Sequence, residues 1–183
     1  NLALVEHERR APGPGEVEIE VEAAGLNFLD VLLALGAMPE DDDASAARLG
    51  WECSGRIVAI GAGVSGLHEG QEVIAVAPHA MASHVLVRGE LVTEKPAGMS
   101  WEQAATLPIA FMTAYHGLAQ VGRLAPGERV LIHAASGGVG VAAIQWAQHV
   151  GAEIFATAGT EEKRERVRRL GVTHVFDSRS MSF

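Results

Sequence analysis

The residues best suited to chemistry in this chain form a glycine-rich turn between a strand pattern and a helix pattern. Residues 129–133 read RVLIH, a run of strand-forming types, and the turn that follows reads Ala135-x-Gly137-x-x-Gly140. Apolar residues at helical spacing continue to about residue 150, and a second strand pattern covers residues 154–157. A strand, a glycine turn, a helix and a second strand in this order are typical of a dinucleotide pyrophosphate site.

Each position of the turn has a physical reason in this prediction. Gly137 has no Cβ to collide with a phosphate, Gly140 allows close packing of the helix on the strand, and Ala135 takes the place of the first glycine. The backbone amides around Gly138 and Val139 would donate to the phosphates at the positive end of the helix dipole. We therefore predict that these five residues bind a dinucleotide cofactor.

The end of the second strand indicates which dinucleotide is bound. A site that prefers NAD has an acidic residue there, but residues 157–160 are Thr-Ala-Gly-Thr. Thr160 can cap the following helix, and Lys163 and Arg164 come shortly after it. A cation that binds the extra 2′-phosphate contributes roughly 1.5–3 kcal/mol, about 10- to 150-fold in affinity. We therefore predict NADPH as the cofactor, with Thr160 and Lys163 at its site.

The first hundred residues carry the pattern of an antiparallel sheet. Glutamates alternate with apolar residues over 16–23, which predicts a strand with one face in water. Other short strand patterns lie between glycine turns, at 53–60, 72–77 and 84–87. Many short strands with glycine turns are typical of a small antiparallel barrel or sandwich. We predict such a barrel domain, on the substrate side, over residues 1–104.

Helical patterns begin at Ser100, whose hydroxyl can accept from the Gln103 amide in a capping box. The helical spacing is broken at Pro108, which has no N–H to donate. Strands and helices then alternate, which predicts a parallel sheet with crossover helices. About three strands are present, where a complete doubly wound domain has about six. Residues 105–183 are therefore expected to form the first half of an NADP-binding α/β domain.

Composition and charge exclude several classes of function. Of the 183 residues, 48% are hydrophobic and 20% are charged, which favours a folded core over disorder. The formal net charge of −9 argues against nucleic acid or an anionic membrane as the main partner. No apolar run approaches the roughly 20 residues that span a bilayer, and no signal-peptide pattern is present. We therefore expect a cytoplasmic protein whose single cysteine, Cys53, is a small buried residue.

Four motifs, spread over nearly the whole chain, resemble the zinc-free medium-chain dehydrogenase/reductases. Residues 25–32, GLNFLDVL, are similar to the GLNFRDV segment of enoyl reductase domains in polyketide synthases and animal-type fatty acid synthases. Residues 107–118 are similar to their VPVxFxTAYYGL helix, and residues 133–140 match their HAAxGGVG turn. Residues 178–180 resemble the SSR or NSR after their third strand. The resemblance implies a GroES-like antiparallel barrel domain followed by an incomplete Rossmann domain.

The residues also distinguish this chain from zinc-dependent relatives. Those relatives carry a cysteine near position 27 and a Gly-His-Glu motif, where this chain has Asn27 and Gly50-Trp51-Glu52. A catalytic zinc needs three protein ligands, so we predict no metal site. The acidic run at residues 41–43 is interpreted as a solvated loop, because no nearby histidine or further oxygen cluster supports a metal role.

The resemblance implies NADPH-dependent reduction of a trans-2-enoyl thioester on an acyl carrier protein, within a synthase that has neighbouring domains. Hydride passes from C4 of the nicotinamide to the β-carbon, and a proton then reaches the α-carbon. From their places in the matched motifs, Asn27 and Thr113 are expected to line the nicotinamide end, and Arg179 is also expected to bind the cofactor. Whether the chain forms a homodimer is left open.

The proton donor is also left open. The resemblance implies a lysine after the second strand or an aspartate near the SSR segment. Lys163 matches the lysine, whereas Ser180 and Ser182 occupy the two candidate positions for the aspartate. The donor is therefore Lys163, a water molecule or no specific group. Because Lys163 cannot easily serve both the 2′-phosphate and a distant carbon, we favour its role in cofactor binding.

Two alternative functions stay open alongside the synthase enoyl reductase. One is a free-standing NADPH-dependent quinone or enone oxidoreductase of the same fold. The other is a cofactor-binding domain without turnover. In the family, later strands complete the nicotinamide pocket, so we expect weak activity or none if these 183 residues are the whole polypeptide.

Overall fold

The chain forms two compact units, which a computed structural model describes at residues 3, 5–37 and 49–180. The first unit is Asn1–Ile109 and the second is Ala110–Phe183. A mainly antiparallel unit followed by a parallel α/β unit confirms the predicted fold class. The domain boundary after residue 104 stays a prediction. The acidic run at residues 41–43 lies outside the described residues.

An antiparallel sheet of five strands forms the centre of the first unit. The strands are β1 (Glu16–Ala24), β2 (Glu52–Ile60), β3 (Glu72–Val76), β4 (His84–Arg88) and β5 (Val92–Glu94). Their order is β4-β1-β2-β3-β5, and a 3₁₀ turn at Gly89–Leu91 precedes β5. Val17 in β1 is in register with Ile60 on one side and with Val87 on the other. Fully buried apolar side chains of β1, β2 and β3 form the core: Val17, Ile19, Cys53, Ile57 and Val73.

Strand β1 departs from its predicted alternation at one glutamate. Glu20 and Glu22 are exposed, as the pattern predicts, but Glu18 is buried. The Nε and Nη2 groups of Arg9 donate to the two carboxylate oxygens of Glu18 at 2.9 and 3.0 Å. These hydrogen bonds lower the pKa of Glu18. The Glu18 carboxylate is therefore hydrogen-bonded by a bidentate arginine instead of by the water that the alternation predicted.

A short helix, α1 (Phe28–Ala34), follows β1 where no helix was predicted. Its N-cap is Asn27, whose backbone amide donates to the Asp30 carboxylate at 2.8 Å. The same carboxylate accepts from the Gly50 amide at 2.7 Å, so it ties the start of the helix to the segment before β2. The Asn-x-x-Asp spacing, an N-cap residue followed by an acid three positions later, was the available sequence signal.

Two further helices follow β5, with a break between them at the predicted proline. They are α2 (Trp101–Ala105) and α3 (Pro108–Tyr115), and a π-helical segment (His116–Val121) continues from α3. Ser100 Oγ accepts from the Gln103 amide at 3.2 Å, and Gln103 Oε1 accepts from the Ser100 amide at 3.1 Å. The predicted capping box is therefore confirmed. Pro108 begins α3, where its missing N–H costs no hydrogen bond.

The second unit contains a parallel sheet, of which the described residues include β6 (Arg129–Ile132), β7 (Glu153–Ala158) and β8 (His174–Asp177). The order is β6-β7-β8, with α4 (Gly138–Val150) between β6 and β7 and α5 (Glu161–Arg169) between β7 and β8. Arg129 is in register with Glu153. Apolar side chains of α4, α5 and the strands form one core, among them Ile132, Ile144, Ala147, Ala156 and Val167.

Candidate functional site

The carboxyl end of β6 leads through a tight turn into the first residues of α4. Ala134 has a left-handed conformation with φ 50°, and the Gly137 amide donates to Ala134 O at 2.9 Å. Gly137 is the N-cap of α4, and a glycine has no side chain that could accept from the first amides of the helix. The first amides of a helix have no intrahelical carbonyl partner. Those of Gly138 and Val139 are therefore suited to bind an anion, as the dipole of α4 also favours.

The glycines of the turn differ in the space around them. A Cβ at Gly140 would lie 2.6 Å from both Ala134 O and Ala135 Cα, so the backbone approach there requires glycine. A Cβ at Gly138 would meet no atom of the described residues within 4 Å. At Gly137 the nearest atom would be Ala134 O at 3.3 Å. Packing therefore requires Gly140, whereas the space around Gly138 at the helix start is open.

Ala135 and its neighbours hold the turn against β7. The Ala135 side chain is fully buried, and its amide donates to Thr157 O at 3.0 Å. His133 Nδ1 lies 2.9 Å from the Thr157 hydroxyl oxygen, which is a second link between the turn and β7. These contacts fix the position of the turn, and the predicted cofactor contact of Ala135 stays a prediction.

The carboxyl end of β7 brings together three of the predicted site residues. Thr160 Oγ1 accepts from the Lys163 amide at 3.3 Å, so Thr160 caps α5. Lys163 is exposed on the first turn of α5, and its ammonium group forms no hydrogen bond or ion pair within the described ranges. Arg179 comes from the segment after β8, and its Nε would lie 3.3 Å from a Cβ at Gly159. Lys163 and Arg179 therefore both lie beside the turn that follows β7.

Two of the acidic residues near this strand end, Glu161 and Asp177, are paired with other arginines. Arg164 lies 2.8 Å from a Glu161 carboxylate oxygen and 3.3 Å from an Asp177 carboxylate oxygen. Arg168 lies 2.7 Å from the other Glu161 oxygen. Hydrogen bonds from Arg168 and Arg164 lower the pKa of Glu161. Glu161 and Asp177 are therefore compensated by Arg164 and Arg168 rather than by Lys163 or Arg179.

The two residues predicted to line the nicotinamide end lie in different units. Asn27 precedes α1 in the first unit, where its Nδ2 donates to Glu52 Oε1 at 2.8 Å. Thr113 is exposed on α3 in the second unit. Glu52 also accepts from the Ile109 amide through Oε2 at 2.8 Å. Sequence reasoning did not predict this buried carboxylate, which is 4% exposed.

The single cysteine has a structural role, as predicted. Burial raises the pKa of the Cys53 thiol to about 12, and the charge of Glu52 adds to the effect. A protonated, fully buried thiol is not a nucleophile. In the described part of the chain, no group of three His, Cys, Asp or Glu side chains is arranged to hold a metal ion. No helix formed by those residues is long and apolar enough to cross a membrane.

Comparisons with known proteins agree with both units. The alcohol dehydrogenase GroES-like domain model matches residues 13–117, and the zinc-binding dehydrogenase model matches residues 138–183. The crystal structure of CurK enoyl reductase superposes with a TM-score of 0.89 at 46% identity, over 95% of this chain and 55% of that chain. The crystal structure of Escherichia coli quinone oxidoreductase complexed with NADPH superposes with a TM-score of 0.86 at 32% identity, over 97% of this chain and 55% of that chain.

Among curated proteins, a phenolphthiocerol/phthiocerol polyketide synthase of Mycobacterium tuberculosis is 49% identical over 182 residues. These are 100% of this chain and 8% of that protein, and the chain spans about half of the solved structures. An antiparallel GroES-like sheet followed by a dinucleotide-type α/β unit defines a medium-chain dehydrogenase/reductase. The chain belongs to the alcohol dehydrogenase GroES-like family, and it is similar to enoyl reductase structures and to a segment of polyketide synthases.

Proposed function

We propose that this chain is part of an NADPH-dependent enoyl reductase that reduces a trans-2-enoyl thioester carried on an acyl carrier protein. The observation that carries the proposal is the open helix start at Gly138, in the same unit as the cations Lys163 and Arg179 at the end of β7. The 46% identity to CurK enoyl reductase supports the reaction class. The match to 8% of a much longer polyketide synthase supports neighbouring synthase domains as partners. A cytoplasmic location stays a prediction, and the homodimer stays open.

In this proposal the dinucleotide supplies the hydride when it is bound, and the residues of this chain hold it. The Gly138 and Val139 amides donate to the pyrophosphate, where the dipole of α4 adds a favourable potential. Lys163 and Arg179 bind the 2′-phosphate through charge-assisted hydrogen bonds. The contacts of Asn27 and Thr113 with the nicotinamide end stay predictions from their motifs.

We assign Lys163 to the 2′-phosphate rather than to protonation of the α-carbon. It lies on the first turn of α5, beyond the carboxyl end of β7, which is where this fold recognises the ribose next to the adenine. A side chain that binds a phosphate there is not positioned at the reacting carbon. The proton therefore comes from another group, such as water.

The cofactor assignment is tested by Lys163→Ala. Loss of one charge-assisted contact should weaken NADPH binding about 10- to 150-fold. NADH binding should stay nearly unchanged, because NADH has no 2′-phosphate. Both affinities are measured by titrating the full chain and following nicotinamide fluorescence.

Arg166→Ala is the matched control, because Arg166 is an exposed cation on the same helix as Lys163. The control variant should bind NADPH as the unmodified chain does. Equal losses of NADPH and NADH affinity in Lys163→Ala would contradict the 2′-phosphate assignment. The same loss in both variants would mean that only the net charge of α5 matters.

The reaction is tested by NADPH oxidation with crotonyl thioester and, separately, with a small quinone. Preference for the thioester supports the proposal. Preference for the quinone supports a free-standing quinone oxidoreductase, the candidate that the similarity to the Escherichia coli enzyme favours. Cofactor binding without oxidation by either substrate supports a binding domain without turnover.

A further inference from the structure

Arg179 lies at the carboxyl end of β7, although the chain reaches it only after β8. A Cβ at Gly159 would lie 3.3 Å from Arg179 Nε and 3.8 Å from Arg179 Nη2, so the guanidinium group packs over the turn that follows β7. The end of this second strand is where a doubly wound fold binds the ribose next to the adenine, and an arginine nearby accommodates a 2′-phosphate. Both residues belong to the second unit, so this geometry does not depend on the first.

The turn that carries Arg179 is held by its backbone amides. The Ser178 amide donates to Ala158 O at 3.3 Å, and the Ser180 amide donates to Asp177 O at 3.2 Å. The Arg179 amide donates instead to a side chain, Asp177 Oδ1, at 2.8 Å. An aspartate that accepts from the amide two residues later forms an Asx-turn. The Asp177 carboxylate therefore sets the direction in which the chain leaves β8, and with it the starting point of the Arg179 side chain.

The second oxygen of the Asp177 carboxylate is paired with Arg164. Asp177 Oδ2 lies 3.3 Å from Arg164 Nη1, and the same Nη1 donates to Ala158 O at 3.2 Å. Arg164 Nε and Nη2 donate to Glu161 Oε2 at 3.0 and 2.8 Å. Because the Arg164 guanidinium group is engaged with these acceptors, it serves as a support at the strand end. Asp177 joins this support to the turn that carries Arg179.

We propose that Asp177 is a positioning residue, which holds Arg179 over the β7 turn as a cation that distinguishes a 2′-phosphate from a 2′-hydroxyl group. This inference rests on the proposed function, in which the chain binds NADPH. Asp177 is itself an anion, so through charge alone its removal would strengthen the binding of a phosphate. The positioning role predicts the opposite sign, because without the Asx-turn Arg179 is no longer held at the strand end.

Two adenosine nucleotides measure this effect without turnover. Adenosine 2′,5′-bisphosphate and adenosine 5′-monophosphate differ only in the 2′-phosphate, and neither has a nicotinamide group. Both are titrated into the full chain by calorimetry. Arg179→Ala should weaken binding of the bisphosphate about 10- to 150-fold, the value of one hydrogen bond to a charged group. It should leave binding of the monophosphate unchanged.

Asp177→Ala should weaken binding of the bisphosphate roughly 10-fold, the lower end of that range, because Arg179 is displaced and not lost. Binding of the monophosphate should not change. Asp177→Asn keeps an acceptor oxygen for the Arg179 amide and can form the same turn. It should therefore bind the bisphosphate at least as tightly as the unmodified chain, since it also removes a negative charge.

Glu162→Ala is the matched control, because it removes the same charge from an exposed side chain of the same unit. It should not weaken binding of the bisphosphate. The Asp177 side chain is 38% exposed, and exposed ion pairs contribute little to stability. Asp177→Ala should therefore stay folded, which thermal unfolding checks.

Two further measurements show whether Asp177 acts through Arg179. When Arg179 is already replaced by alanine, Asp177→Ala should cause no further loss of bisphosphate binding, because no guanidinium group is left to position. In ¹H–¹⁵N spectra without ligand, the Arg179 amide resonance should move in Asp177→Ala, which lacks the acceptor. It should move less in Asp177→Asn.

Several results would overturn the positioning role. Unchanged or tighter bisphosphate binding in Asp177→Ala would show that Asp177 acts through its charge only. Equal losses for both nucleotides would show a general structural defect. A further loss in the Arg179→Ala background would show that Asp177 does not act through Arg179, and a tenfold loss in Asp177→Asn would show that the hydrogen bond to the amide is not what matters.

The same titrations separate this inference from the proposed function. If the unmodified chain binds the two nucleotides equally, the positioning role is refuted, whatever reaction the chain catalyses. If bisphosphate binding depends on Asp177 and Arg179 as expected but no thioester is reduced by NADPH, the positioning role stands and the proposed reaction fails.

Discussion

Gly138 and Gly140 lie two residues apart on one helix, and we predict opposite effects when each is replaced by alanine. The new Cβ at position 140 would lie 2.6 Å from Ala134 O and Ala135 Cα. Both are backbone atoms, so the clash is relieved only if the turn after β6 moves. The new Cβ at position 138 meets no described atom within 4 Å.

The magnitude follows from these two environments. Overpacking against fixed atoms destabilises the fold by about 1–3 kcal/mol. In either variant, the higher helix propensity of alanine stabilises the helix by up to ~1 kcal/mol. The propensity gain is similar in both, so their difference in unfolding free energy isolates the steric cost, about 1–3 kcal/mol. In a unit of this size, 1 kcal/mol corresponds to ~4–8 °C in melting temperature. Gly140→Ala should therefore melt at least ~4 °C below Gly138→Ala.

Gly138→Ala should affect NADPH binding and the stability of the fold in opposite directions. Gly138→Ala should keep or slightly raise the unfolding free energy, by roughly 0.4–1 kcal/mol. It should still weaken NADPH binding, because the methyl group occupies the space at the helix start. Thermal unfolding followed by circular dichroism and NADPH titration measure the two effects. Equal stability of the two variants would refute the steric argument, and unchanged NADPH affinity in Gly138→Ala would refute the phosphate site at the helix start.

Two further predictions concern titrating groups in the first unit. The hydrogen bond from Arg10 lowers the folded pKa of Glu16 from 4.5 to about 2, so this pair stabilises the fold above pH 4.5 and loses its effect as the pH falls toward 2. Glu16→Gln should remove that part of the acid sensitivity in melting curves at low salt, and a pH dependence equal to that of the unmodified chain would contradict the pairing. The Cys53 thiol, with a pKa of about 12, should resist iodoacetamide at pH 8 until urea unfolds the chain. Rapid labelling of the folded chain would show that the thiol is accessible.

Local sequence patterns were sufficient for the features that depend on neighbouring residues. The capping box at Ser100, the cap at Thr160 and the turn before α4 each depend on residues within four positions, so their spacing is readable. Gly138 and Lys163, two residues of the proposed cofactor site, lie on such local elements. Their places in the fold, at the start of α4 and in the first turn of α5, could therefore be predicted.

Features that depend on distant residues could not be read in this way. The burial of Glu18 depends on Arg9 from a segment outside the sheet, and alternation alone predicted an exposed side chain. The contact between Asn27 and Glu52 spans 25 positions, and the contact between Glu52 and Ile109 spans 57. Single residues with satisfied partners leave no periodic signal, so only the folded geometry shows these contacts of Glu52.

The strand registers of the two units also have a consequence for the order of folding. In the second unit, Arg129 and Glu153 pair across 24 positions that are largely occupied by one helix. In the first unit, Val17 pairs with Val87 across a connection that is about threefold longer. The longer connection raises the entropic cost of loop closure by ~1 kcal/mol. The parallel sheet of the second unit should therefore form first during refolding, and the antiparallel sheet of the first unit should form in a slower phase.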